Sequence, residues 1–161
     1  MLNFSQLLTA IGAAVHLDTA AAAADGGCTL SFDGKLDITF ELSKDQQSVY
    51  VFAPVLHLPA AGTVRETVLQ TLLQIHLFGV ATNGSYFGTD PQLNRVILFK
   101  TLELKHLDEA AALTSIEGFV NDVERWQRAL LDLVLRVQPP AGAGTGSATS
   151  PSLSMAISQR A

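Results

Sequence analysis

Residues 28–42 read CTLSFDGKLDITFEL, and this stretch decides the fold. Cys28, Leu30 and Phe32 alternate with Thr29 and Ser31, and Leu36, Ile38, Phe40 and Leu42 alternate with Asp37, Thr39 and Glu41. Alternation with period two marks strands that put one face in a core and the other in water. Asp33-Gly34 turns the chain between them. A two-residue loop would set Phe32 against Lys35 and send the two apolar stripes to opposite faces. Taking Lys35 into the loop sets Phe32 against Leu36 and aligns the stripes, so a three-residue connection is expected.

Downstream, residues 48–58 form a strand of another kind. Val49, Val51 and Val55 fall on one face, and Tyr50, Phe52 and Leu56 on the other. A strand apolar on both sides needs cover on both sides, from a helix, a subunit or a ligand. A second helix is expected from Thr63, with Thr63-Val64-Arg65-Glu66 as a capping box and Gly79 as its stop. Val64, Val68, Leu69, Leu72, Leu73, Ile75, Leu77 and Phe78 run nearly all the way round it. Such a helix is buried on more than one side, which predicts a homodimer interface beside the core contact. Val68, Leu72, Ile75 and Tyr86 are the expected interface residues. Asn83-Gly84 and Asp90-Pro91 are turns, residues 85–89 a short strand and residues 95–102 a longer one. In the longer strand Val96, Leu98 and Lys100 share one face, with Ile97 and Phe99 on the other.

Upstream, Asn3 and Gln6 are placed to cap a helix over residues 4–15, with Leu7, Leu8, Ile11 and Val15 on one stripe. Residues 20–27 end in Asp-Gly-Gly and read as a loop. A last helix is expected over residues 108–137. Leu113, Ile116, Val120, Val123, Leu130 and Val134 form its apolar stripe, and Glu109, Glu117, Asp122, Glu124, Arg125 and Arg128 its polar face. Gly118 is a weak point in it. The order α-β-β-β-α-β-β-α defines an α+β domain with a twisted, mainly antiparallel sheet. The domain is expected over residues 1–137. Residues 138–161, rich in Gly, Ser and Pro, read as a flexible tail whose composition cannot offset chain entropy.

With 161 residues, 48% of them hydrophobic and 16% charged, and a mean hydropathy of +0.29, the chain can build a core and leave apolar surface for a partner. A net charge of -5 argues against binding the phosphates of nucleic acid. The single cysteine, Cys28, excludes an intrachain disulfide and fits a reducing cytosol. The N-terminal residues lack Lys or Arg ahead of the alanine run, and polar residues interrupt the apolar stretch, so no secretory leader or membrane insertion is expected.

The residues that carry chemistry do not converge. His16, His57, His76 and His106 lie in different elements without ligand spacing, so no metal is expected. Cys28 sits on an apolar stripe and reads as a small hydrophobe. Neither a GxSxG elbow nor a phosphate-binding glycine loop occurs. The acidic pairs Asp108-Glu109 and Asp122/Glu124 read as helix-start and helix-surface charges with no partner across a cleft. Trp126, at helical spacing from Val123 and Leu130, reads as a core or rim anchor. No catalytic residue and no cofactor are assigned, and an enzyme is not expected.

Over residues 4–136 the sequence resembles the class I chaperones of bacterial type III secretion, the Tir-chaperone family. The resemblance rests on an ordered set of segments. Gly12 followed by His16-Leu17 resembles the family's opening helix, and CTLSFDGKLDITFEL its first hairpin. LPAAGTVRETVLQTLLQIHLFG and TNGSYFGTDPQLNRVILFKTLELKHLD resemble the second helix, the last hairpin and the start of the closing helix. Glu124-Arg125-Trp126, within FVNDVERWQRAL, resembles the Glu-x-Trp centre of that helix. The family's common Thr-Gly-Gly before the fourth strand reads Thr82-Asn83-Gly84 here.

The resemblance implies a non-enzymatic homodimer in the bacterial cytoplasm. It would bind the N-terminal region of a secreted effector, keep it soluble and present it to the export ATPase. The apolar residues Leu8, Ile11, Phe32, Phe40 and Phe52 of the first helix and first three strands are the expected cargo contacts, shared with the core. A dimeric peptide-binding adaptor outside secretion is the second reading, and a small enzyme the third.

Overall fold

The chain is described by a computed structural model, which covers residues 2–16, 19 and 24–138. The expected tail beyond residue 138, and residues 20–23 of the expected loop, lie outside the described residues. Ala24 is helical rather than loop, in line with alanine's propensity.

Parity sets the hairpin. Strands β1 (Gly27–Phe32) and β2 (Leu36–Leu42) pair antiparallel with Phe32 opposite Leu36, Leu30 opposite Ile38 and Cys28 opposite Phe40. The loop is Asp33-Gly34-Lys35, with Asp33 and Gly34 both at positive φ and the Lys35 N–H donating to the Phe32 carbonyl. Strand β3 (Ser48–His57) follows β2 in space, and the sheet continues through β5 (Arg95–Glu103) to β4 (Tyr86–Asp90). The order is β1-β2-β3-β5-β4 and every pairing is antiparallel.

Helices α1 (Phe4–Val15) and α3 (Glu109–Val137) pack with one another, and α3 also packs on β3. Asn3 caps α1 through a reciprocal pair: the Gln6 N–H donates to Asn3 Oδ1 at 2.8 Å and the Asn3 N–H donates to Gln6 Oε1 at 3.0 Å. Asp108 caps α3, accepting from the Ala111 N–H at 2.8 Å. Leu7, Leu8 and Ile11 of α1 meet Phe119, Val123 and Leu130 of α3 in the same core as Ile38, Phe40, Val49, Val51, Val96 and Leu98 of the sheet.

Three expectations are corrected. Helix α2 (Thr63–His76) is capped by Gly62, which has no side chain to offer, so Thr63 is the first helical residue and its capping box does not form. The α-helix also ends at His76, before Gly79, and a 3₁₀ turn over Leu77–Gly79 carries the chain on, with Phe78 as well as Gly79 in the left-handed region. In β3 the pairing with β5 shifts between Pro54 and Leu56. That bulge sets Leu56 opposite the buried Val96 and against the core, whereas strict alternation puts it beside Tyr50 and Phe52.

Candidate functional site

Among the described residues the helices cover one face of the sheet, and the positions on the other face are exposed or half-buried. The register shows what lies there. Thr29 stands opposite Thr39, Thr39 opposite Phe52, Phe52 opposite Phe99 and Phe99 opposite Tyr86, so one row crosses all five strands. The Thr29 and Thr39 hydroxyls are 2.8 Å apart, and the Tyr86 and Phe99 rings are 5.5 Å apart between centroids. Tyr50 and Ile97 flank this row, from the neighbouring positions opposite Thr101 and Pro54. At Gly88, opposite Ile97, an added Cβ would lie 3.5 Å from both Ile97 and Phe99. The missing side chain therefore leaves those two apolar groups room over β4. Tyr50 and Tyr86 are exposed, and Phe52, Ile97 and Phe99 are half-buried. Rings half in water on a sheet can take further contact at little cost in ordering.

A second apolar surface lies at the end of α2. Leu73, Leu77, Phe78 and Val80 are all exposed, and Phe78, at φ 62°, is 90% exposed. A non-glycine residue in the left-handed region carries strain of about 1–2 kcal/mol. The stripe that holds α2 to the domain is instead Val68 and Leu72, both buried.

These positions sort the expected site residues. Leu8, Ile11 and Phe40 are wholly buried, and a side chain without exposed surface gives a partner nothing to touch. They are core residues of the chain. Phe32 is half-buried at the edge strand, and Phe52 lies in the open row. Of the residues expected at a dimer interface, Val68 and Leu72 face the core and Ile75 packs partly against it. Tyr86 lies in the open row, 5.3 Å from the His76 ring. Phe99 and Ile97 were legible as a second strand face, but their place beside Phe52 depends on the β3–β5 register.

Asp122 corrects another expectation. It is 7% exposed and accepts from Asn83 Nδ2 at 3.0 and 3.1 Å and from Arg125 Nη2 at 2.8 Å. Arg125 Nη2 also donates to the Ala81 carbonyl, and Thr82 Oγ1 to the Ser85 carbonyl. Together these bonds pin the turn before β4 to α3. Asn83 and Gly84 are both left-handed. Asparagine tolerates that backbone, and here its amide adds the tie to Asp122. Trp126 stands edge-on to Phe87 at 5.2 Å, with the Arg125 guanidinium 5.0 Å over its ring, which fits a rim anchor.

Among the described residues no group of three His, Cys, Asp or Glu is placed to hold a metal ion. Burial pushes the Cys28 thiol up from its ordinary value, which keeps it protonated and a poor nucleophile. No helix among the described residues is long and apolar enough to cross a membrane.

The chain belongs to the Tir chaperone protein (CesT) family, whose model matches residues 6–127. The fold is similar to that of a chain in the ExsC–ExsE complex, with 19% identity, a TM-score of 0.62, and coverage of 78% of this chain and 92% of that one. It is also similar to a chain of the heterodimeric ExoU–SpcU complex from the type III secretion system of Pseudomonas aeruginosa, at 13% identity and a TM-score of 0.60, covering 78% and 95%. A chain of the HopA1–SchA chaperone–effector complex matches at 13% identity and 0.57, covering 76% and 91%. No curated protein matches the sequence significantly.

Proposed function

We propose that the protein is a cytoplasmic chaperone of type III secretion. It binds the N-terminal segment of an effector, keeps that segment extended and soluble, and aids its delivery to the export apparatus, including the export ATPase, without catalysing a reaction. The observation that carries the reading is the open sheet face of a CesT-family chain, with Phe52, Phe99 and Tyr86 in one row. The similarity to chains from a complex named for its chaperone and effector supports it. An extended segment gains main-chain hydrogen bonds at a sheet edge and seats alternate side chains on apolar groups. Both are available beside β1 and across the row.

The chaperone acts as a homodimer, and the exposed Leu73, Leu77, Phe78 and Val80 at the end of α2 form the contact between copies. Leu73→Asp is expected to leave the fold intact, because the side chain is 74% exposed, and to yield a monomer in light scattering. A wild type that is monomeric at micromolar concentration removes the dimer from this proposal.

The test of function is capture from the native host. A secreted protein is expected to co-purify, to lose binding when its N-terminal segment is deleted, and to bind Phe52→Ala/Phe99→Ala at least tenfold more weakly. A captured protein that is not secreted, and is held elsewhere along its chain, points to the adaptor reading.

A further inference from the structure

The row through Phe52 has charged neighbours on one side of the sheet. In the next row, Glu41 of β2 stands opposite Tyr50 of β3, and Tyr50 opposite Thr101 of β5. Directly opposed positions set their Cβ atoms about 5 Å apart, so the Glu41 carboxylate and the Tyr50 ring are within reach of one incoming side chain. Both residues are exposed. They also line a groove of about 400 Å³ at the end of the β2–β3 hairpin, with Lys44, Asp45 and Ser48. Across the row, two residues before Thr39 on β2, Asp37 is exposed as well.

These carboxylates are uncommitted. Among the described residues neither Asp37 nor Glu41 has an ion pair, whereas Asp90 on the same face is held by Arg95, and Glu103 lies 3.7 Å from His106. Lys35 and Lys44 stand in the loops at either end of β2, and neither is paired with them. The chain as a whole carries a charge of -5, which favours the approach of a cationic partner. A guanidinium answers both groups of the Glu41–Tyr50 pair at once. Its edge donates two parallel hydrogen bonds to a carboxylate, and its face stacks on an aromatic ring. An ammonium lacks the planar fork, and a neutral amide lacks the charge.

We propose that the segment held along the row carries an arginine at the Thr29–Thr39 end, seated between Glu41 and Tyr50, with apolar side chains following over Phe52, Phe99 and Tyr86. Asp37, on the far side of Thr39, adds to the field that draws the same charge. The partner is thus a basic segment with an alternating apolar half. That the segment belongs to a secreted effector rests on the proposed function; the preference for arginine is a property of this face.

The test uses the full chain and labelled synthetic peptides. They share one half, in which phenylalanine alternates with serine, and differ in the residue at its end: arginine, lysine, glutamine or glutamate. Fluorescence anisotropy at low salt is expected to rank them in that order, the arginine peptide binding about tenfold more tightly than the glutamine peptide. Glu41→Gln, which keeps the shape of an exposed side chain, is expected to cut this ratio to about threefold. Glu41→Gln with Tyr50→Thr is expected to abolish it. Glu109→Gln/Glu117→Gln, which removes two exposed carboxylates from α3, is expected to leave the ratio intact. Equal binding of the arginine and glutamine peptides overturns the proposal, and so does failure of every peptide to bind. A preference that survives Glu41→Gln, or that falls as far in the α3 variant, belongs to the net charge of the chain and overturns it as well. The chaperone reading is tested apart, because a secreted protein captured through its N-terminal segment upholds it whatever residue meets Glu41.

Discussion

The two faces of the sheet use the same strands and different side chains. Inward, Ile38, Phe40, Val49, Val51, Val96 and Leu98 are almost wholly buried and, but for one ring, aliphatic. Outward, those strands and the two edge strands present Thr29, Thr39, Phe52, Phe99 and Tyr86, a mixture of hydroxyls and rings. Inward residues already have their partners in the folded chain, so losing one costs stability. Outward residues keep surface in hand, so losing one leaves the fold and removes a contact another molecule would make. A binding protein can thus vary one face without endangering the other.

The sharpest way to break this comparison is a pair of truncations on neighbouring strands. Phe40→Ala is expected to cost about 3–5 kcal/mol in urea or thermal unfolding, because the ring is fully buried. Phe52→Ala, diagonal to it on the other face, is expected to cost less than half as much. Equal losses would mean that the outward face also holds the fold.

Asp122→Ala comes next. It leaves the Asn83 amide and the Arg125 guanidinium without their acceptor and is expected to cost about 1–3 kcal/mol. The loss should loosen the turn before β4, read as faster amide exchange at residues 80–85. Gly118→Ala has the opposite sign. Nothing lies within 4 Å of the added Cβ, so the gain in helix propensity, about 1 kcal/mol, should appear as a higher melting temperature. A lower one would mean that this part of α3 is covered by a partner.

The smallest effect lies on the outward face at Asp90. Its carboxylate accepts from the Leu93 and Gln92 N–H groups and from Arg95 Nε at 3.0 Å. The Leu93 bond leads, and with the others it holds the carboxyl below its ordinary value. A pKa lowered by folding contributes stability above the unfolded value and loses it as pH falls through the folded one. Asp90→Asn should therefore flatten part of the acid limb of a melting series taken below about pH 4. An unchanged limb would place the acid dependence on other carboxylates, such as Asp45, which its bond from the Ser43 hydroxyl lowers in the same direction.

Much of this was legible because parity is local. Fifteen residues, 28–42, were enough to choose the loop and align the β1–β2 stripes, and the pairing agrees. The Asn3 cap was legible for the same reason. What escaped was decided at a distance. The bulge after Pro54 depends on how β5 pairs, so Leu56 was assigned to the wrong face. Asp122 looked like a surface charge because helical periodicity does not reveal that the loop around Asn83 lands on it. The open row joins residues from five strands, and no short window contains Thr29, Phe52 and Tyr86 together. Leu8, Ile11 and Phe40 show the same limit, since an apolar residue in a strand or helix does not announce which side of it is covered.

The row across the sheet has a direction. From Thr29 and Thr39 it passes to Phe52, Phe99 and Tyr86, from hydroxyls to rings. A molecule laid along it meets hydrogen-bonding groups at one end and aromatic faces at the other. Reversing that molecule exchanges every match for a mismatch. On the proposed function, a bound segment whose own polarity runs the same way would be held in one orientation.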